Sequence, residues 1–163
     1  MKKVIALFVV VFLLGVFAFS ALADNQVIRY SNGTVCVGNV VNGSFNGYGT
    51  CFIANNGQKC TGEWKNSQLH GQGTCTYSNG DVFVGHWTNS VKDGQGTFFY
   101  ANGDVRVGEW KNGYANGKGV YYYKSGDILE ATWVNDKLEG HAVYTKANGT
   151  VTEYEYKNNK VVK

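Results

Sequence analysis

Residues 62–80 read GEWKNSQLHGQGTCTYSNG, and residues 108–126 read GEWKNGYANGKGVYYYKSG. One Trp and a set of glycines return at matching offsets, in a chain of 163 residues that has 22 glycines and no proline. Self-similarity at a fixed period is the signature of a repeat architecture. The leading glycine falls at Gly38, Gly62, Gly85 and Gly108, and Ala131 and Tyr154 continue the series. The steps are 24, 23, 23, 23 and 23 residues. Two places later stands Val40, then Trp64, Trp87, Trp110, Trp133 and Tyr156. A Gly-x-Gly doublet follows at Gly47/Gly49, Gly71/Gly73, Gly94/Gly96 and Gly117/Gly119, then Gly140 with Ala142. A turn glycine closes each unit at Gly33, Gly57, Gly80, Gly103, Gly126 and Gly149.

Each unit holds two short runs rich in Thr, Val, Tyr, Phe and Trp, alternating with period two and ending in a turn. Asn-Gly pairs support the positive φ that closes hairpins. No stretch after residue 23 carries the apolar stripe of an ordinary helix. The expected fold is all-β: one elongated antiparallel meander, a solenoid of hairpin repeats with about five full units and partial ones at the ends, about twelve strands in all. In the third unit, setting Trp87 opposite Gly94 places Gly85 against Gly96 and Phe83 against Phe98. The glycines then leave a trough over which bulky rings can settle.

The strand Phe83-Val84-Gly85-His86-Trp87 and the return Gly94-Gln95-Gly96-Thr97-Phe98-Phe99-Tyr100 resemble the MORN (membrane occupation and recognition nexus) repeat. The resemblance runs over nearly all of residues 27–157. It implies a hairpin-repeat sheet that works in protein–protein contact and assembly. The aromatic-glycine repeat of choline-binding modules is also hairpin-based but lacks the tight Gly-x-Gly doublet. The membrane association in the family name finds no basic face here.

The chain opens with Lys2 and Lys3, an uncharged run from Val4 to Phe19, and Ala21-Leu22-Ala23. That is the layout of a secretory signal peptide over residues 1–23, cleaved after Ala23, and its style is bacterial. An uncleaved anchor helix is the alternative, for which the run is short. Residues 24–163 then form one repeat domain, exported to the periplasm or the exterior. Its charge is nearly balanced, with 13 basic against 12 acidic residues. This argues against nucleic acid as a partner and against a purely electrostatic grip on anionic lipid.

Four cysteines in an exported chain read first as disulfides. The register that pairs Gly38 with Gly49 pairs Cys36 with Cys51, and Gly62 with Gly73 implies Cys60 with Cys75. A Cys51–Cys60 bridge across the intervening strand pair is also open. Linking Cys36 to Cys60 and Cys51 to Cys75 spans two strand spacings, roughly 9.6 Å, which is too far. The spacing suits neither a zinc site nor a redox C-x-x-C pair.

No catalytic constellation emerges. His70, His86 and His141 occupy three different places in the repeat, so no ladder gathers them. Ser67, Ser78 and Ser90 are turn residues. Glu63 and Glu109 recur with Lys65 and Lys111 on the face away from the Trp residues, without a cleft. No metal or cofactor is expected. The candidate binding surface is the aromatic stripe: Trp64, Trp87, Trp110 and Trp133 with Tyr100, Tyr121 and Tyr123. Those rings could equally be core, yet a single-layer sheet has no second layer to cover them, and exposed apolar area of this kind meets partners. The expectation is a non-catalytic, exported binding or scaffold protein that contacts another protein or a second copy of itself at the cell envelope. The alternative is a module that binds glycan or lipid headgroups along the aromatic groove.

Overall fold

A computed structural model describes residues 26–163. The apolar run, the cleavage expected at Ala23 and the boundary it sets lie outside the described residues. Fourteen strands form one sheet: β1 (Gln26–Arg29), β2 (Val35–Val41), β3 (Ser44–Ile53), β4 (Gln58–Lys65), β5 (Gln68–Thr76), β6 (Val82–Thr88), β7 (Val91–Phe99), β8 (Val105–Lys111), β9 (Tyr114–Tyr122), β10 (Ile128–Val134), β11 (Lys137–Leu138), β12 (Gly140–Thr145), β13 (Val151–Lys157) and β14 (Lys160–Val161). They follow one another in chain order, each antiparallel to the next, with β11 beside β10. No helix occurs among the described residues. The count exceeds the expected twelve because short strands count separately. In the fifth unit the return strand breaks at Glu139 beside Gly140, whose φ is +74°. It is therefore divided into β11 and β12.

The pairing confirms part of the expected register and corrects part. Gly85 lies opposite Gly96 and Phe83 opposite Phe98, but Trp87 pairs with Lys92, not Gly94. The register shifts between Gly85 and Trp87. There β7 sets Asp93, Gly94 and Gln95 against His86 alone. This is an irregularity of the β-bulge kind, in which extra residues bend one strand. Gly94 adopts φ +110° in that bend, which a side chain rarely tolerates. The His86 ring closes over it, with Nδ1 2.7 Å from the Asp93 carbonyl oxygen. Gly94 faces Trp110 of the next strand instead. The same shift occurs after Gly38, Gly62 and Gly108.

The second glycine of each doublet has a different cause. Gly96 has no positive φ, but a Cβ there would collide with the Phe83 ring. Phe45 covers Gly49 in the same way, and both rings are fully buried. The glycines are thus the floor on which the core rings lie. Each Trp then reaches back to the preceding unit. The indole N–H groups of Trp64, Trp87 and Trp110 donate to the carbonyls of Gly49, Gly73 and Gly96 at 3.1, 3.1 and 3.3 Å.

Turns stitch neighbouring units along both margins. On one margin, Asp81, Asp104 and Asp127 accept from the backbone N–H of Ala101, Lys124 and Ala147, each at 2.8 Å. On the other, Phe45 and Leu69 donate their backbone N–H to the hydroxyls of Ser67 and Ser90. Ala115 donates likewise to Asp136 at 2.7 Å. Each unit is therefore tied to its neighbours through core, backbone and turn, as in a solenoid.

Candidate binding face

Side chains alternate across a strand, so one row of paired residues runs the length of the sheet on one face. That row reads Ile28, Cys36, Cys51, Cys60, Cys75, Phe83, Phe98, Arg106, Tyr121, Leu129 and Tyr144. At its start, Cys36 is bonded to Cys51 and Cys60 to Cys75. Cys51 also pairs with Cys60 in register, but the bonds fall within hairpins and not between them. Disulfides of this kind belong to oxidising compartments.

Past the cysteines the row turns aromatic, and the structure divides the expected surface into two layers. Trp64, Trp87, Trp110 and Trp133 are only 5–7% exposed and form core. The half-buried rings lie outside them. Tyr77, Phe98, Tyr100, Tyr121, Tyr123 and Tyr144 make an unbroken chain with centroid separations from 4.6 to 5.9 Å. Of the seven aromatics singled out from the sequence, the three tyrosines lie in this open layer. Burial holds the phenols of Tyr77, Tyr100 and Tyr123 above the ordinary tyrosine range. Tyr121 is raised by burial and by donating a 2.8 Å hydrogen bond to Asp104. Tyr144 donates likewise to Asp127 at 2.6 Å, which pushes it up to about 12. Ring faces and phenol hydroxyls give this face both apolar area and polar groups.

Two cations on this face, Arg106 in the row and Lys92 beside it, are absent from the expected site. Arg106 is 3% exposed, and its guanidinium carbon lies 4.2 Å from the Trp133 ring centre and 5.0 Å from that of Trp110. The Lys92 ammonium stands 4.2 Å over Trp110 and 5.0 Å over Phe98. Burial pulls both groups below their ordinary pKa, and Arg106 adds to the cost of charging Lys92. With Tyr100, Tyr121 and Asp136 they line a cavity of about 320 Å³. The signal was in the repeat. The residue paired with Trp, or with Val40 in the first unit, is Phe45, Leu69, Lys92, Ala115 and Leu138 in turn. The row position of Arg106 is held elsewhere by Cys36, Cys60, Phe83 and Leu129. In both series the charged member breaks an apolar rule.

The histidines stay apart: His86 lies over Gly94, and His141 is 3.4 Å from Glu155. Among the described residues no three His, Cys, Asp or Glu side chains are grouped to hold a metal.

The family profile for the MORN repeat matches five segments, residues 36–58, 60–82, 83–105, 107–128 and 130–151. No curated protein sequence matches the chain significantly. Among solved structures, the TCP domain of SAS-4 (dCPAP) from Drosophila melanogaster, in complex with a proline-rich motif of Ana2 (dSTIL), is similar in fold. It superposes with a TM-score of 0.54 at 17% identity, covering 82% of this chain and 72% of that one.

Proposed function

Because the chain belongs to the MORN repeat family, we propose that it is a non-catalytic, exported binding or scaffold protein whose aromatic face takes a partner polypeptide at the cell envelope. One observation carries this reading: a continuous chain of half-buried rings from Tyr77 to Tyr144 that no second layer covers among the described residues. Ring faces give apolar contact, and the tyrosine hydroxyls orient a polar backbone. The TCP domain that is similar in fold is in complex with a proline-rich motif of Ana2 (dSTIL), which supports the same use here. Export agrees with the two bonded cysteine pairs.

The test places a photo-crosslinking residue at Tyr123 and, as control, at Thr97, which lies on the opposite face beside Val84 and Val107. Crosslinking in intact cells should yield a discrete polypeptide adduct from position 123 and none from 97. An adduct of doubled chain mass identifies a second copy as the partner. Equal adducts from both positions, or adducts only with glycan or lipid, would refute the reading. Trp87 and Trp110 are unsuitable probes, because replacing them removes core.

A further inference from the structure

We infer that the cavity between the third and fourth units is a carboxylate-binding site, which takes an acidic side chain of the partner polypeptide through Lys92 and Arg106. Packing alone does not call for these residues, since Leu69 and Phe83 fill the equivalent places as neutral core. The cations are not neutralised from within. Asp136 is the carboxylate lining the cavity, and it is 53% exposed. It stands 3.8 Å from Arg106 Nη1, beyond hydrogen-bond length, and its Oδ1 already accepts from the Ala115 N–H. Arg106 Nε and Nη2 have no hydrogen-bond partner among the described residues. Both nitrogens are shielded from bulk water, and the residue that carries them lines the cavity. Nε and Nη2 form one edge of the guanidinium, the fork that a carboxylate engages with two parallel bonds. Buried polar groups left unpaired are costly and rare, and point to a missing ligand.

Charge selects the ligand. Two cations against one half-exposed carboxylate leave the cavity with one positive charge, which a monoanionic carboxylate balances. Trp110 lies under both cations, which fixes their separation and prepares them for a group that bridges them. The cavity adjoins Tyr100 and Tyr121 in the row of rings. An acidic residue within a segment lying on that row would enter it from above. In this respect the assignment rests on the proposed function.

The test uses the whole protein and the probe peptide acetyl-Tyr-Glu-Tyr-amide, with its Gln counterpart and inorganic phosphate as separate arms. The ¹⁵N resonance of Arg106 Nε–H and the indole fluorescence are followed. The Glu peptide should move the Nε–H resonance saturably and bind at least about tenfold tighter than the Gln peptide, a difference of about 1.4 kcal/mol. Lys92→Leu and Arg106→Phe install residues that the repeat already uses at these positions, so both should fold, melt at higher temperature and lose that preference. Equal binding of Glu and Gln peptides overturns the assignment. So does a lower melting temperature in both variants, which would make the cations structural. Tighter binding of phosphate than of the Glu peptide overturns the choice of a carboxylate. The peptide titration needs no natural partner, so it can fail while crosslinking from position 123 succeeds, and the reverse.

Discussion

Gly96→Ala is the most direct test of the packing that builds the face. The added Cβ would meet the Phe83 ring, with Cε2 at 2.6 Å, and Val84 O at 3.2 Å. Phe83 cannot retreat freely: it is fully buried and set edge-on to Trp87 and Trp110 at 5.2 and 5.1 Å. Forcing a methyl into such a core costs about 1–3 kcal/mol. Loosening two aromatic contacts adds about 0.5–1.5 kcal/mol each. Alanine restricts the unfolded chain more than glycine and returns about 0.5–1 kcal/mol. The balance is a loss of roughly 3 kcal/mol. Equilibrium urea unfolding, read by Trp fluorescence, measures it as a lower midpoint with unchanged slope. Phe83→Leu removes the colliding ring, so the double variant should recover much of the loss, with a coupling of about 1–2 kcal/mol. Gly94→Ala is the contrast. Its cost comes from φ +110° and should not be relieved by Phe83→Leu. If Gly96→Ala is neutral, or if its cost adds to that of Phe83→Leu without coupling, rings seated on glycine are not what holds the units together.

Two further outcomes follow from local geometry. Each disulfide joins cysteines 15 positions apart, so Cys60→Ala with Cys75→Ala should cost about 3 kcal/mol in urea unfolding; an unchanged midpoint would show that the first units are held without the bridge. The Tyr144 hydroxyl and the Ala147 N–H hold the Asp127 carboxyl below the ordinary carboxylate range. A depressed folded pKa stabilises the fold above the unfolded carboxylate value, and that contribution disappears as pH falls through the folded one. Tyr144 has the opposite sign: raised to about 12, it contributes below the unfolded tyrosine value and loses this as pH rises toward 12. Tyr144→Phe should therefore move the Asp127 midpoint upward in a ¹³C NMR titration, and an unmoved midpoint would refute the contact.

The fold was largely legible because its determinants are local and recur. Gly85, Gly96 and Phe83 fall into register by counting, and so do Cys36 with Cys51 and Cys60 with Cys75. The place of Trp87 was not legible by counting. Alternation assumes equal residues on both strands, and the kink at Gly94 inserts extra ones. The site was less legible for a related reason. The four Trp residues advertise themselves by recurrence, yet recurrence marks what every interface needs, which is core. The residues that distinguish one interface from the others are the exceptions, Lys92 and Arg106. They stand out only when each is compared with its counterparts across the units.

That distinction follows from how a solenoid distributes its energy. Each unit contacts its neighbours alone, so stability is a sum of unit and interface terms, and a costly residue weakens one interface without unsettling the rest. In a globular core, one buried and one half-buried cation with one partial counter-charge would burden the whole domain, because replacing buried charged groups by apolar residues often stabilises by about 1–4 kcal/mol. Here the burden is confined between the third and fourth units. Two disulfides hold the units on one side, and the turn carboxylate Asp127 stitches the units on the other. A locally unfavourable interface flanked by secured ones is where a repeat protein can hold a binding site at least risk to its fold. Hydrogen exchange gives this a measurable form. Amides of β7 and β8 should open at lower free energy than those of β3 to β5, and Lys92→Leu should raise them toward that level. Uniform protection along the sheet would mean that the cations are already satisfied where they stand.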